Sequence, residues 1–359
     1  MMAIGSGIAS QLVYQDESTY GVAPSLASAI PLEFRSETLA LTKTTVQGQG
    51  LHAGGLYDRA GRRVLTNYDA GGGITMDLQT RRLNKLLFAM LGSYGQANAT
   101  LTQIGTTTVQ KAIHQPGNTS GHSLTFQKGI PTTDGTVMPF TYVGCKISDW
   151  TINVASGALA ELDLTVDGRN ELGGAGNSDP LNVSVPTLAT FTTTPGMDIF
   201  HFREANLLTG TPSLASGVVS LSGATTLANI KDASIKHAVS FDDTRYFLGG
   251  GGFAAEPIEN GFRSITGTFT AEWLSAATMY NAFAADTSLA LELKFTGPTV
   301  GTSGGAAELL DIIIPNIKLD GESPKAGGPA LVTQSVSFTG LDDETNPQIQ
   351  ITYQSLDTV

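Results

Sequence analysis

Residues 74–92 read Ile-Thr-Met-Asp-Leu-Gln-Thr-Arg-Arg-Leu-Asn-Lys-Leu-Leu-Phe-Ala-Met-Leu-Gly, and the apolar period changes within this one stretch. Ile74, Met76 and Leu78 alternate with polar neighbours, the pattern of a strand with one buried face. Leu83, Leu86, Leu87, Met90 and Leu91 then fall at the i, i+3, i+4, i+7, i+8 spacing of a helical stripe. Thr80 is a suitable N-cap and Gly92 a suitable stop, so the spacing predicts a strand followed by a helix between them.

The same succession occurs twice along the chain. A strand through Leu39 and Leu41 and a Gly-rich loop over 48–73 precede the first strand and helix. Trp150, Ile152 and Val154, then Leu162, Leu164 and Val166, follow as two closing strands. In the second half, Ile235, Val239 and Phe241 form the opening strand, and 249–262 is the loop. Ile265, Phe269 and Trp273 lead into a helix after Ser275 that carries Met279, Tyr280, Phe283 and Ala284 and ends near Asp286. Ile317 and Leu319, then Val332, Val336 and Phe338, close that half. The first half also holds a Gly-, Thr-, Asn- and Gln-rich segment between Gly95 and Asp134. Identity between the halves is low, so a duplication rests on the order of elements. The expected division is an N-terminal arm over 1–31 that orders on contact with a neighbour, domains over 32–170 and 196–359, and a linker over 171–195.

Composition agrees with a strand-rich chain. Only 14% of the 359 residues are charged, 42 are Gly, and Ser and Thr abound. The net charge of −12 argues against a protein that grips nucleic acid through phosphate contacts, although DNA can still slide past such a surface. Cys145 is the sole cysteine, so neither an internal disulfide nor a multi-cysteine metal site is available. No signal-peptide pattern opens the chain and no apolar run is long enough for a membrane span, which leads to the expectation of a soluble protein made in a cytoplasm, without membrane contact.

Chemistry for catalysis is not legible. There is no Gly-x-Ser-x-Gly elbow, and His52, His114, His122, His201 and His237 are scattered without metal-ligand spacing. His237 falls on an apolar strand face, as a core histidine would. Glycines 249–252 lack a following Gly-Lys-Ser/Thr, and Asp342, Asp343 and Glu344 lack the order of a calcium loop. The expectation is no enzyme activity, no cofactor and no metal.

Strand parity sorts the charged residues onto faces. Opposite the apolar residues, the first half places Asp77, Asp149, Glu161, Asp163 and Asp167. The second places Asp242, Glu272 and Asp320 against Lys236 and Lys318, diluted by Thr and Ser. This charge fits either a solvated sheet surface or a non-adhesive channel wall. The two long loops differ in sign: Arg59, Arg62 and Arg63 in the first, Glu256 and Glu259 in the second. If the chain forms rings and both loops project along one direction from them, opposite signs of this kind help set how one ring docks on the next.

Several strings in order carry a resemblance over nearly the whole chain. They are residues 4–7, Ile-Gly-Ser-Gly; 17–21, Glu-Ser-Thr-Tyr-Gly; 33–37, Glu-Phe-Arg-Ser-Glu; and 139–146, Pro-Phe-Thr-Tyr-Val-Gly-Cys-Lys. They continue with 243–249, Asp-Thr-Arg-Tyr-Phe-Leu-Gly; 259–263, Glu-Asn-Gly-Phe-Arg; and 314–316, Ile-Pro-Asn. The chain resembles the major tail tube proteins of phages with long, non-contractile tails, in the branch common among phages of actinobacteria. The resemblance implies mainly β domains, each a β-sandwich with a flanking helix, whose inner sheets join those of neighbours into one continuous barrel. It implies a virion tail protein, assembled in the bacterial host cytoplasm, whose stacked rings form the channel for DNA ejection. It further implies that the acidic face lines the lumen, that double-stranded viral DNA passes without specific binding, and that the tape measure protein, tail terminator and distal tail protein are partners. Relatives with one such domain close rings of six; those with two fused domains close rings of three with pseudo-sixfold symmetry, which the duplication favours here.

The alternatives are another phage structural protein, such as a capsid decoration or tail-tip component, and a two-carboxylate β-sandwich glycosidase. The latter needs an aromatic-lined cleft, whereas Trp150 and Trp273 both fall on apolar faces.

Overall fold

Alternating β-branched and aromatic positions fold into antiparallel strands throughout. In the computed structural model the described residues are 4–5, 7–51, 53–172, 197–273, 279–302, 305–321, 323, 325–326, 328–329 and 331–358. The first half runs β1 (Gln11–Asp16), β2 (Ile30–Leu32), β3 (Ala40–Gln47), β4 (Arg63–Asp77), α1 (Asn84–Leu91), β5 (Gln110–His114), β6 (Leu124–Pro131), β7 (Val137–Ala155) and β8 (Glu161–Gly168). The second runs β9 (Ala205–Ala215), β10 (Val218–Thr226), β11 (Ile230–Ala238), β12 (Ser264–Glu272), α2 (Met279–Ala284), β13 (Leu289–Val300), β14 (Ala306–Asp320), β15 (Thr333–Gly340) and β16 (Gln350–Ser355).

The inner layer is an open sheet in the order β3-β4-β8-β7-β11-β12-β15-β14. Its first four strands and its last four share one plan. β8 pairs with β4 from Glu161↔Asp77 to Gly168↔Ala70, and β15 with β12 from Thr333↔Glu272 to Gly340↔Ile265. The halves meet edge to edge where β7 pairs with β11, from Asp149↔Ala238 to Ala155↔Asp232.

The outer layers also correspond. β2-β1-β6-β7 covers the first half, and β10-β9-β13-β14 covers the second. β7 and β14 therefore serve both layers, each through a bend. In β7 the bend lies at Gly144, whose φ of 67° suits glycine; an added Cβ would come within 2.7 Å of Arg169. In β14, pairing passes from β13 and β16 to β15 around Pro315, which has no N–H to donate. Between the layers sits the core, with Trp150 fully buried and its Nε1 donating to Met90 O of α1 at 3.3 Å.

Four expectations need correction. The helix begins at Asn84, not after Thr80, because Arg82 has a φ of 69° and Thr80 is used elsewhere. Thr80 N donates to Asp198 O, and Asp198 N to Thr80 Oγ1, so Thr80 ties the start of the second half to the first. Gly92 does stop the helix, at φ 70°. The loop expected over 48–73 is a loop only to 62, since 63–71 pair with β3 as an extended hairpin. The arm expected over 1–31 is built into the first half: β1 lies between β2 and β6, and Leu12 and Tyr14 are buried. The segment between Gly95 and Asp134 supplies β5 and β6, and β5 pairs with β16 from the C-terminal end of the chain. Of the expected linker, 173–195 lies outside the described residues, as does Ser275; α2 ends at Ala284, before Asp286 at φ 50°.

Candidate functional site: the polar face of the inner sheet

Parity sends Ile74, Met76, Trp150, Ile152, Leu162, Leu164, Ile235, Phe269, Val336 and Phe338 inward, all buried. The opposite face is then a ladder of short polar side chains running across both halves. Cross-strand neighbours on it include Thr75, Asp163, Thr151 and Lys236 in one direction, and Thr268, Ser337 and Asp320 in the other.

The structure places Asp77, Asp149, Glu161, Asp163, Glu272 and Asp320 on this face. Most are paired. Arg35 bridges Asp77, at 3.7 Å, and Glu161. Lys236 lies 3.6 Å from Asp149, and Lys231 lies 3.0 Å from Glu272. Asp163 accepts from Thr75 Oγ1 at 2.7 Å and Asn153 Nδ2 at 3.2 Å, while Asp320 accepts from Thr339 Oγ1 at 2.8 Å. Asp232, which the sequence reading did not select, accepts from Thr270 N at 3.0 Å. Parity on β11 was the available signal, since Lys236 was read from the same strand. The resulting surface is mildly acidic, its carboxylates largely paired with the more exposed cations Arg35, Lys231 and Lys236 or held by hydroxyl and amide donors.

Of the remaining two selected acids, Asp167 keeps the parity of Glu161 and Asp163, and Asp242 leaves the sheet. Asp167 continues its strand to the end of the sheet, where burial and the charges of Asp243 and Asp69 raise its pKa. Asp242 belongs to a short separate pair, Phe241–Asp242 with Ile258–Glu259, and accepts from Thr244 N and Oγ1. The loop charges also differ in use. Arg59, Arg62 and Arg63 are exposed. Glu256 pairs with Lys146 at 2.6 Å and also accepts from Gly121 N; Glu259 pairs with Arg263 at 2.7 Å and accepts from Thr119 Oγ1.

The buried polar groups have structural surroundings. His237 stacks on Trp150 with centroids 5.5 Å apart, and burial, aided by Arg263, lowers its pKa to about 4. Burial lowers that of His114 to about 3, between Ser93 Oγ and Asn84 Oδ1. Burial raises the Cys145 thiol, which disfavours the thiolate. Glu17 receives Gly144 N, Gly21 N and the Ser123 and Thr125 hydroxyls, bracing the bend of β7. Among the described residues, no three of His, Cys, Asp and Glu gather to hold a metal ion, and no helix is long and apolar enough to cross a membrane.

A family model described as phage tail tube protein matches residues 7–340. No curated protein matches the chain.

Proposed function

We propose, from the premise that the chain belongs to the phage tail tube protein family and is a structural component of a phage tail, that it is the major tail tube subunit of a siphovirus-type phage. Rings of it stack into the channel through which viral DNA is ejected. The observation that carries this reading is the seam between β7 and β11, where two halves of like plan already join edge to edge. Among the described residues, β3 and the end of β14 are opposite edges of the inner sheet. A seam of the same kind between β14 of one copy and the β3 side of the next would satisfy both edges, which otherwise invite uncontrolled pairing. Two domains per chain then give three chains per ring. The polar face becomes the lumen wall, where the exposed cations Arg35, Lys231 and Lys236 are already paired with acids of the same face, so that few counterions are released to hold the duplex. Tape measure, terminator and distal tail proteins are the partners proposed for the ends and interior of such a tube.

The test is electron microscopy of the concentrated protein. Stacked rings of three chains with the Thr- and Asp-bearing face inward support the reading. Rings of six chains would retain the tube and remove the two-domain ring, and small closed oligomers that never stack would favour a decoration or tail-tip component.

A further inference from the structure

We infer that the first-half loop, residues 48–62, is a docking element that covers the open end of the second half in a neighbouring copy. The inference rests on the ring reading above and adds the contact that locks its seams. Within one chain the corresponding contact is already made. The second-half loop, between β11 and β12, lies over the end of the first half: Tyr68 N donates to Gly252 O at 2.9 Å, and the Tyr68 and Phe253 rings stack 5.1 Å apart. Tyr246 Oη donates to Tyr68 O at 3.0 Å, and the Arg169 guanidinium sits 5.9 Å from the Phe253 ring.

The strand registers carry this site across to the other half. Because Gly168↔Ala70 and Gly340↔Ile265 are corresponding rows, the positions of Arg169 and Tyr68 correspond to Leu341 and Arg263. At that place the second half has a cavity of about 510 Å³, lined among others by Phe262, Arg263, Ile265, Leu341 and His237. Phe262 is 100% exposed at its edge, and the buried His237 Nδ1 has no hydrogen-bond partner. The cavity of about 280 Å³ at the end of the first half is instead partly walled by Asp243, Ala254 and Pro257 of the second-half loop.

The first-half loop has the chemistry to cover the larger cavity. Leu51, Leu56 and Tyr57 are 102%, 92% and 89% exposed, an apolar group that an isolated subunit leaves in water. Arg59 and Arg62 stand beside them; at the cavity Arg263 is paired with Glu259 at 2.7 Å, which leaves Asp342 to complement the two arginines. The occupant must come from a second copy. A loop between the first two strands of a half covers the half that precedes it in the sheet, and among the described residues no half pairs with the free side of β3.

The test mixes two differently tagged proteins, Leu56→Cys and Leu341→Cys, lets them assemble, and oxidises them; the native Cys145 is buried. Covalent heterodimers in the ring fraction are expected. A parallel mixture of Leu56→Cys with Thr333→Cys, at the opposite end of the sheet, is expected to give none. Heterodimers through Thr333 rather than Leu341 would mean that the loop reaches the next ring, and would overturn the inference. Intact rings by sedimentation with no cross-link to either position would overturn it while leaving the ring reading standing. Failure of the parent protein to form rings at all would remove both.

Discussion

The two halves share a strand plan but end differently. The first half finishes under a cover: Phe253 stacks on Tyr68, and Glu256 holds Lys146, whose side chain is 3% exposed. The second half finishes in an open cavity beside a wholly exposed Phe262. One end is thus completed by the chain itself, while its counterpart has the composition of a surface awaiting cover. Similar folds within one chain need not be similarly finished, and the unfinished end is where to look for contacts between copies.

Core substitutions should act most strongly and alike on both halves. Trp150→Ala and Phe269→Ala each empty a fully buried site and are expected to cost about 3–5 kcal/mol in chemical denaturation. Because β7 and β11 pair along the whole seam, a single unfolding transition is expected. Two separate transitions would break the comparison by making each half an independent unit.

Substitutions at the ends should then separate the halves. Lys146→Met removes the cation from Glu256 and leaves Thr119 O and Pro257 O without their donor, a loss of about 1–3 kcal/mol in the isolated subunit. Phe253→Ala is expected to cost about 1–2 kcal/mol there. Leu56→Asp, on the corresponding loop, should leave the melting temperature of the subunit unchanged and lower the yield of assembled rings. A loss of subunit stability from Leu56→Asp equal to that from Phe253→Ala would erase the distinction.

The outer layer of the second half adds a pH dependence. Burial and the neighbouring Glu292, partly offset by Lys294 and Lys111, push Asp311 up to about 7 from an ordinary 3.8. The folded chain keeps that proton where the unfolded chain has lost it, so this group's contribution to stability falls as pH rises from 3.8 to about 7 and levels off above. Asp311→Asn should flatten that slope in urea titrations at stepped pH; an unchanged slope would show that another group sets it. The smallest effect is expected on the polar face. Asp320→Asn, at an exposed site, should stay within roughly 0.5 kcal/mol.

Much of the inner sheet was legible because its strands keep strict alternation, and Trp150, Ile152, Leu162, Leu164, Phe269 and Phe338 fell on the buried side. The resembling strings mark positions where backbone geometry is demanding. Gly144 lies at the bend of β7, Pro315 at that of β14, and residues 243–249 and 259–263 lie within the loop that covers the first half. What was hidden depended on distant partners. β1 looked like part of an arm because β6, one of its two pairing strands and the one that ties it into the layer, lies more than a hundred residues away. Thr80 had the chemistry of a helix cap, but Asp198 competed for its backbone and hydroxyl. Asp242 had the right alternation and joined a different sheet, since the chain turns after Val239 to pair 241–242 with 258–259.

The strand-rich class, the recurring order of elements, the side of each central strand that faces the core, and a family resemblance that the family match bears out in its coarser form are all readable from residue order. These are consequences of local period and of residue strings, which need no knowledge of distant neighbours. That β7 meets β11, that the acids of the polar face are mostly paired, and that one loop is spent within the chain while its counterpart stands in solvent emerge on folding. Such facts depend on which groups from remote parts of the chain arrive at the same place, and periodicity carries no record of that.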